Sequence, residues 1–107
     1  MPRRSIEIAS FQHANPIPAA SRVGPLLASS IIGPRDPVGE MLNAAGADWR
    51  HVAKMTFYVA DIAVRDAING PWTEHFPDPA SRPARHTQVS ATAGRAVTCD
   101  FLAYVDD

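Results

Sequence analysis

Two strand-like segments near the end of the chain constrain its fold more than any other feature. The first runs from Arg82 to Val89 and the second from Val97 to Val105. Gly94 lies between them, and we expect a turn there. Each segment carries one central charged residue, Arg85 in the first and Asp100 in the second. We expect the two segments to pair, with these charges on adjacent strands.

Arg85 is the clearest candidate for a binding residue. Because side chains alternate along a strand, Arg85 and Thr87 share one face of the first segment. A guanidinium held on a strand is a preorganised receptor for a carboxylate, since its planar fork matches two anionic oxygens. This pattern favours a small anionic ligand over a macromolecule.

The rest of the pattern predicts an α+β chain in the order β-β-α-β-α-β-β. Further strands are expected at Ser5–Ala9, Leu26–Ile32 and Val52–Val59, helices at Gly39–Ala45 and from Ile62 toward Phe76, and loops at His13–Ala20 and Pro77–Ser81. Gly46 is a candidate C-cap and Asp61 a candidate N-cap. Gly70-Pro71 predicts a kink or restart in the second helix.

Alternation in the middle strand predicts which sheet face meets the helices. Ala53, Met55, Phe57 and Val59 are expected to face the core. The short connections predict both helices on that side. The opposite face would expose Thr56, Tyr58, Thr98, Asp100, Leu102 and Tyr104. A half-apolar face that no helix covers is a candidate surface for oligomer formation.

Composition and charge argue against several classes of protein. The 107 residues suit one domain spanning 1–107. The net charge of −1 and the scattered basic residues argue against a nucleic-acid binder. The chain has neither an apolar run long enough to cross a membrane nor the apolar part of a secretion signal. With a single cysteine, this favours a cytoplasmic protein. The four histidines lack the spacing of metal ligands, so no metal site is expected.

Several fragments, taken in order, resemble the Rid family of YjgF-type reactive-intermediate deaminases. The most specific is Arg82-Pro83-Ala84-Arg85. The others are Asn15-Pro16, the serine-ended strand Gly24–Ser30, Ala44-Ala45-Gly46, Val52–Val59, Ile68-Asn69 and Phe76-Pro77. Such proteins also carry the older names endoribonuclease L-PSP and translation initiation inhibitor.

The resemblance implies a chorismate-mutase-like fold, a mixed sheet with two helices on one face, assembled as a homotrimer with three clefts between subunits. It implies hydrolysis of enamine and imine acids, such as 2-aminoacrylate, to a keto acid and ammonia without a cofactor. Arg85 would anchor the substrate carboxylate and Asp100 would move a proton. The substrate-binding positions would be Arg85, Thr87, Thr98, Ser30 and Ile17.

Departures from the family pattern leave a second function open. Ile17 stands where a tyrosine is common, and Thr98 stands where an acid is common. An apolar side chain cannot hydrogen-bond water or an imine nitrogen. The alternative is therefore a binding module for keto acids or other small carboxylates, without turnover. A third hypothesis, a ribonuclease or translation inhibitor, is disfavoured because a net charge of −1 does not favour binding to RNA.

Other residues have structural interpretations. The first helix has room for roughly two turns, so either it is truncated or a segment near Val38 is missing. Cys99 is expected to be a core residue rather than a nucleophile. Asn69 is expected to bond local backbone, and the hydroxyl of Ser30 has either a structural or a site role. Trp49 and Trp72 are expected to pack against the sheet or an interface edge.

Overall fold

The computed structural model describes residues 2–9, 15–33, 36–92 and 94–106, except for the side chain of residue 36. Within them the chain forms β1 (Arg3–Ile6), β2 (Ala20–Val23), β3 (Leu26–Ser29), α1 (Asp36–Ala44), β4 (Val52–Val59), α2 (Arg65–His75), β5 (Ala84–Val89) and β6 (Val97–Tyr104). Short 3-10 turns precede β4 at Trp49–His51 and α2 at Ile62–Val64. The predicted α+β class is confirmed.

The strand β2 does not appear in the order predicted from sequence, so that order is wrong by one strand. The predicted loop ends where β2 begins, and its residues 13 and 14 lie outside the described part. β2 has only four residues and no apolar alternation. It is a strand because it pairs with β1 on one side and β3 on the other. The first strand also lies two residues earlier than predicted.

The sheet has the order β1-β2-β3-β6-β4-β5. All neighbours are antiparallel except β4 and β5, which are parallel and are joined through α2. A parallel pair needs such a crossover, whereas an antiparallel pair can be joined by a turn. The last strand, β6, therefore lies between β3 and β4. The expectation that Arg85 and Asp100 are on adjacent strands is wrong, because β4 separates them.

Both helices pack on one face of the sheet, as predicted. The core there joins Val38, Met41 and Leu42 of α1 and Ile68 of α2 with the inward residues of the strands: Leu27, Met55, Phe57, Val59, Cys99, Phe101 and Ala103. We call the other side the open face; it carries Lys54, Thr56, Tyr58, Thr98, Asp100, Leu102 and Tyr104.

Ala53 is the exception to the predicted alternation. It is exposed, because the register between β4 and β6 shifts between Val52 and Lys54. A bulge of this kind adds one residue to a strand and turns its side chain away from the expected face.

The ends of the helices agree with the predicted capping signals, whereas the interruption predicted inside the second helix is not found. Gly46, just after α1, has a φ of 76°, a value that favours glycine. The Asp61 carboxylate accepts a hydrogen bond from the Ala63 amide at 3.0 Å and caps the 3-10 turn before α2. α2 continues through Pro71 as one helix, so the predicted restart is not observed. The nine residues of α1 make about two and a half turns, as short as expected.

Within the described residues, no helix is both long and apolar enough to cross a membrane.

Candidate functional site

Arg85 lies on β5 at the edge of the sheet, and its side chain points to the helix side. The register pairs it with Met55, a core residue of β4. Its guanidinium Nη1 donates a hydrogen bond to Oδ1 of Asn69 on α2, at 2.9 Å. Its charged end lies 5.3 Å from the ring centre of Trp72 and 5.9 Å from that of Phe57. The guanidinium is therefore fixed by one amide and two aromatic faces.

The charge of Arg85 has no acidic counterpart in the described part of the chain. Asp48 pairs with Arg50 and His51 at another place in the fold, and no ion pair found in the described residues reaches Arg85. Burial lowers the pKa of the Arg85 guanidinium below its usual value, and the nearby positive charge of Arg65 lowers it further. Both effects disfavour the cation, so an anion bound here would relieve repulsion and replace lost hydration. Arginine nevertheless stays protonated in proteins.

Asn69 is the contact that the sequence analysis missed. It was expected to bond local backbone, yet its side chain accepts from Arg85. The spacing of residues along α2 could have predicted this contact. Asn69 and Trp72 are three residues apart and so share one side of α2, and the helix of a β-α-β unit lies over the strands that it joins. Thr87, half-buried, follows Arg85 on the same face of β5.

Asp100 lies on the open face of β6, opposite Thr56 of β4. Its Oδ2 accepts a hydrogen bond from the Tyr58 hydroxyl at 2.8 Å. This bond to the carboxylate is the main cause that raises the pKa of the Tyr58 phenol above its usual value, and burial adds to it. Thr98 is on the same face, is buried and pairs with Tyr58. A carboxylate and a phenol therefore lie together where alternation places them.

Ser30 lies beside that pair, just after β3, and contacts the early loop that contains Ile17. Ser30 follows the Ala28–Leu102 pair and precedes an isolated bridge between Ile32 and Cys99, so it lies alongside residues 100 and 101. Its hydroxyl donates to the Pro18 carbonyl at 2.7 Å and its amide to the Ala19 carbonyl at 2.8 Å. These bonds hold the early loop against the sheet. Ile17, in that loop, is exposed.

The predicted site residues thus form two groups on opposite faces of one sheet. Arg85 and Thr87 are on the helix side of β5, together with Asn69. Asp100 and Thr98 are on the open face with Tyr58, and Ser30 lies just after the neighbouring strand, in contact with the early loop that contains Ile17. A single chain does not bring Arg85 and Asp100 to one ligand.

Cys99 faces the core, fully buried. Burial raises the pKa of its thiol to about 12, with a smaller effect from Asp100. A thiol that stays protonated is a poor nucleophile, so the expected core role is confirmed. In the described ranges, no three His, Cys, Asp or Glu side chains lie close enough together to hold a metal ion.

Comparison with known proteins decides the family. The family model described as endoribonuclease L-PSP matches residues 33–99, well over half of the chain. The chain belongs to the endoribonuclease L-PSP family. This confirms the resemblance found in the sequence. The chloroplastic Reactive Intermediate Deaminase A of Arabidopsis thaliana is 44% identical over 55 residues, which are 50% of this chain and 28% of that protein. The chain thus matches little more than a quarter of that relative's length.

Solved structures agree on the L-PSP fold. A YjgF-family protein of Mycobacterium tuberculosis has a TM-score of 0.82 at 24% identity, over 97% of this chain and all of its own. Yeast Mmf1 has a TM-score of 0.85 at 14% identity, over 98% of this chain and all of its own. At such identities the likeness establishes the fold alone. It confirms the predicted mixed sheet with two helices on one face.

Proposed function

We propose that this chain binds a small carboxylate-bearing metabolite at Arg85 and hydrolyses reactive enamine and imine acids to a keto acid and ammonia. The observation that carries the proposal is the Arg85 guanidinium. It is oriented by Asn69, partly desolvated, repelled by Arg65 and without an acidic partner in the described residues. These are the conditions under which an arginine gains most from a bidentate carboxylate. The name of the Arabidopsis relative supports the reaction class.

The second half of the proposed site comes from another copy of the chain. Arg85 and Asp100 lie on opposite faces of the sheet of one chain. An Asp100 can therefore lie next to an Arg85 only if it comes from a neighbouring copy. The open face offers a surface for such contact. Its register aligns Val23 with Leu26 and Leu26 with Tyr104, and these three side chains are 41%, 46% and 58% exposed. A contiguous apolar patch of this kind favours association. We infer a homotrimer with three clefts.

The chemistry needs one anion anchor and one proton carrier. With 2-aminoacrylate, a proton first adds to the terminal carbon, the nitrogen loses one of its protons, and the enamine becomes the imine. Water then attacks the imine carbon, a C–O bond forms, and the C=N electron pair moves to nitrogen and is protonated. Finally the C–N bond breaks, ammonia leaves, and loss of the hydroxyl proton gives the keto acid. Asp100 would take the proton from water and return it to nitrogen.

Tyr58 supports this role for Asp100. Its hydroxyl donates to one carboxylate oxygen of Asp100, which fixes the carboxylate and leaves the other oxygen for a water molecule. It also supplies a phenol on the same face, although Ile17 occupies the loop position where the family pattern often has tyrosine. The Tyr58→Phe variant should therefore lower the rate constant more than it changes substrate affinity.

The test uses 2-aminoacrylate released by a dehydratase, with keto-acid formation followed over the spontaneous rate. The Arg85→Ala variant should lose the acceleration. The matched control is Arg50→Ala, which removes an exposed arginine whose ion pair with Asp48 lies elsewhere. No acceleration by the wild type, or full activity in Arg85→Ala, would reject the deaminase.

A mixing experiment tests the shared cleft. In co-assembled Arg85→Ala and Asp100→Asn chains, a cleft that takes one residue from each copy is intact in about a quarter of cases. Partial activity from two inactive variants would support the two-copy site. Complete inactivity of verified mixed trimers would contradict it.

A binding module without turnover is the second candidate, favoured by Ile17 and by Thr98, which supplies no acid. It predicts saturable pyruvate binding that depends on Arg85, with no release of keto acid from 2-aminoacrylate. Cleavage of RNA that survives repurification and is lost in Arg85→Ala would instead favour the ribonuclease reading. One domain over 1–107 and a cytoplasmic location are further parts of the proposal, expected from length and cysteine content.

A further inference from the structure

A cavity of about 140 Å³ lies between α2 and the sheet. We call it the α2 cavity. Its lining is almost entirely apolar and comes from β4, β6, α2 and the 3-10 turns: Trp49, Met55, Phe57, Val64, Ala67, Ile68, Pro71, Trp72, His75, Phe76 and Val97. Several lining residues of α2 are exposed or half-buried, Ala67 and Trp72 among them, so the cavity has an opening along the helix.

The first helix takes no part in the cavity. None of its lining residues belongs to α1. The helix does come close to one lining residue, because a Cβ atom at Gly39 would lie 3.9 Å from the indole ring of Trp49. The cavity is covered instead by α2 and by aromatic side chains such as Trp49 and Phe76.

The walls of the cavity are aromatic and offer ring edges and faces. Phe57 and Trp72 meet edge to face at 6.0 Å, and Trp72 and Phe76 do so at 4.8 Å. The one clearly polar ring, that of His75, is stacked on Trp49 at 4.2 Å. Among the described residues, Ser21 Oγ is the one buried polar side-chain atom without a partner, and it is not in the lining. Nothing in the walls therefore calls for a bound water.

We propose that the α2 cavity binds a small, uncharged aromatic molecule of one ring. An engineered cavity of about 150 Å³ with leucine, isoleucine and phenylalanine walls stays dry and binds benzene, so the volume fits a single ring. Aromatic pairs gain beyond their buried area when they meet edge to face, which favours a ring over an aliphatic guest.

This site adjoins the carboxylate anchor but does not include it. Arg85 does not line the cavity; its guanidinium lies against Phe57 and Trp72 and is held by Asn69. No positive charge in the lining is free to neutralise an acid, because the lining has neither arginine nor lysine. A neutral ligand is therefore preferred, and its binding does not depend on the proposed deaminase activity.

The experiment uses toluene as the probe and intrinsic fluorescence as the readout. Both tryptophans of the chain, Trp49 and Trp72, line the cavity, so a bound ring must change their emission. Toluene should give a saturable change, and cyclohexane, which fills similar space without a π face, a weaker one. Phenylacetate should bind no better than toluene, in wild type and in Arg85→Ala alike.

Two filling variants locate the ligand. Ala67→Leu adds apolar volume on the α2 side and should weaken toluene binding about tenfold or more, since two methylene-sized contacts are enough for that. Val97→Phe does the same from the sheet side and keeps the test decisive if Ala67→Leu folds poorly. The matched control is Ala63→Leu, at an exposed residue outside the lining, which should leave toluene binding unchanged.

Several results would overturn the proposal. One is the absence of a saturable response to toluene in the folded wild type. Another is equal weakening by Ala67→Leu and Ala63→Leu. A preference for phenylacetate that disappears in Arg85→Ala would join the cavity to the anion site instead. A change in emission with protein concentration alone would mean that a second copy covers the cavity.

Discussion

Asn69→Asp replaces one amide group by a carboxylate next to the Arg85 guanidinium, the proposed carboxylate anchor. The Asn69 Oδ1 atom already accepts from Arg85 Nη1 at 2.9 Å. The aspartate is nearly the same size, so the contact can form without rearrangement. It would turn a neutral hydrogen bond into an ion pair and give Arg85 the acidic partner that it lacks among the described residues.

The size of the effect follows from the geometry. Two unit charges about 4 Å apart attract by about 1 kcal/mol in water and by about 4 kcal/mol at the effective dielectric of a protein surface. Arg85 is half-buried, so about 2 kcal/mol is a reasonable middle value. A ligand carboxylate must displace or tolerate the new charge. Its affinity should therefore fall about thirtyfold.

The assay is calorimetric titration of pyruvate into wild type, Asn69→Asp and the control Asn43→Asp. The control makes the same change at an exposed residue of α1. Added salt should reduce the difference in pyruvate affinity between Asn69→Asp and the wild type, because salt screens exposed charges. Equal pyruvate affinity in Asn69→Asp and wild type would refute the assignment of Arg85 as the carboxylate anchor.

Three further predictions concern stability. Between about pH 10 and 11, the free energy of unfolding should fall by about 1.4 kcal/mol per pH unit, since the unfolded Cys99 thiol titrates near 9.0 and the native one near about 12, so the native state holds the extra proton. Leu27→Ala, at a fully buried side chain of β3, should cost about 2–5 kcal/mol in denaturant unfolding. Gly46→Ala should cost about 1 kcal/mol or more, because φ there is 76°.

Each of these has a control of its own. The Cys99→Ala variant should lose most of the alkaline slope, and an unchanged slope would point to other groups. Ile62→Ala, at an exposed residue of the 3-10 turn before α2, should cost less than about 1 kcal/mol. Gly39→Ala in α1, where an added Cβ would lie in ordinary contact with the Trp49 ring at 3.9 Å, should instead stabilise by about 0.5–1 kcal/mol. The same sign for both glycine variants would contradict the backbone argument.

Elements of the fold could be predicted where they depend on interactions between residues that are close in the sequence. Gly46 ends a helix and Asp61 caps a turn through contacts with residues one to three positions away. The core side of β4 follows from alternation, except at Ala53, where a bulge depends on the partner strand. β2 has no pattern of its own, because its four residues become a strand only through two neighbours.

The sequence supplied the candidate residues of the proposed site but not their arrangement. Arg85 and Asp100 were chosen from their positions in two strands, and alternation correctly put Tyr58 on the face of Asp100. Their separation could not be read from the sequence, because it depends on β6 pairing with β3 and β4 rather than with β5. That choice is made by the crossover of α2, which joins β4 to β5 in parallel.

The central position of β6 has a consequence for the making of the protein. Every other strand precedes β6 in the sequence, yet β6 is the link between β1-β2-β3 and β4-β5. During synthesis the two parts of the sheet therefore have no hydrogen bonds to each other until β6 has left the ribosome. The first part would wait with the unpaired edge of β3 exposed, which is the condition that invites pairing with other chains. Cells that make this protein fast would be expected to depend on chaperones during that interval.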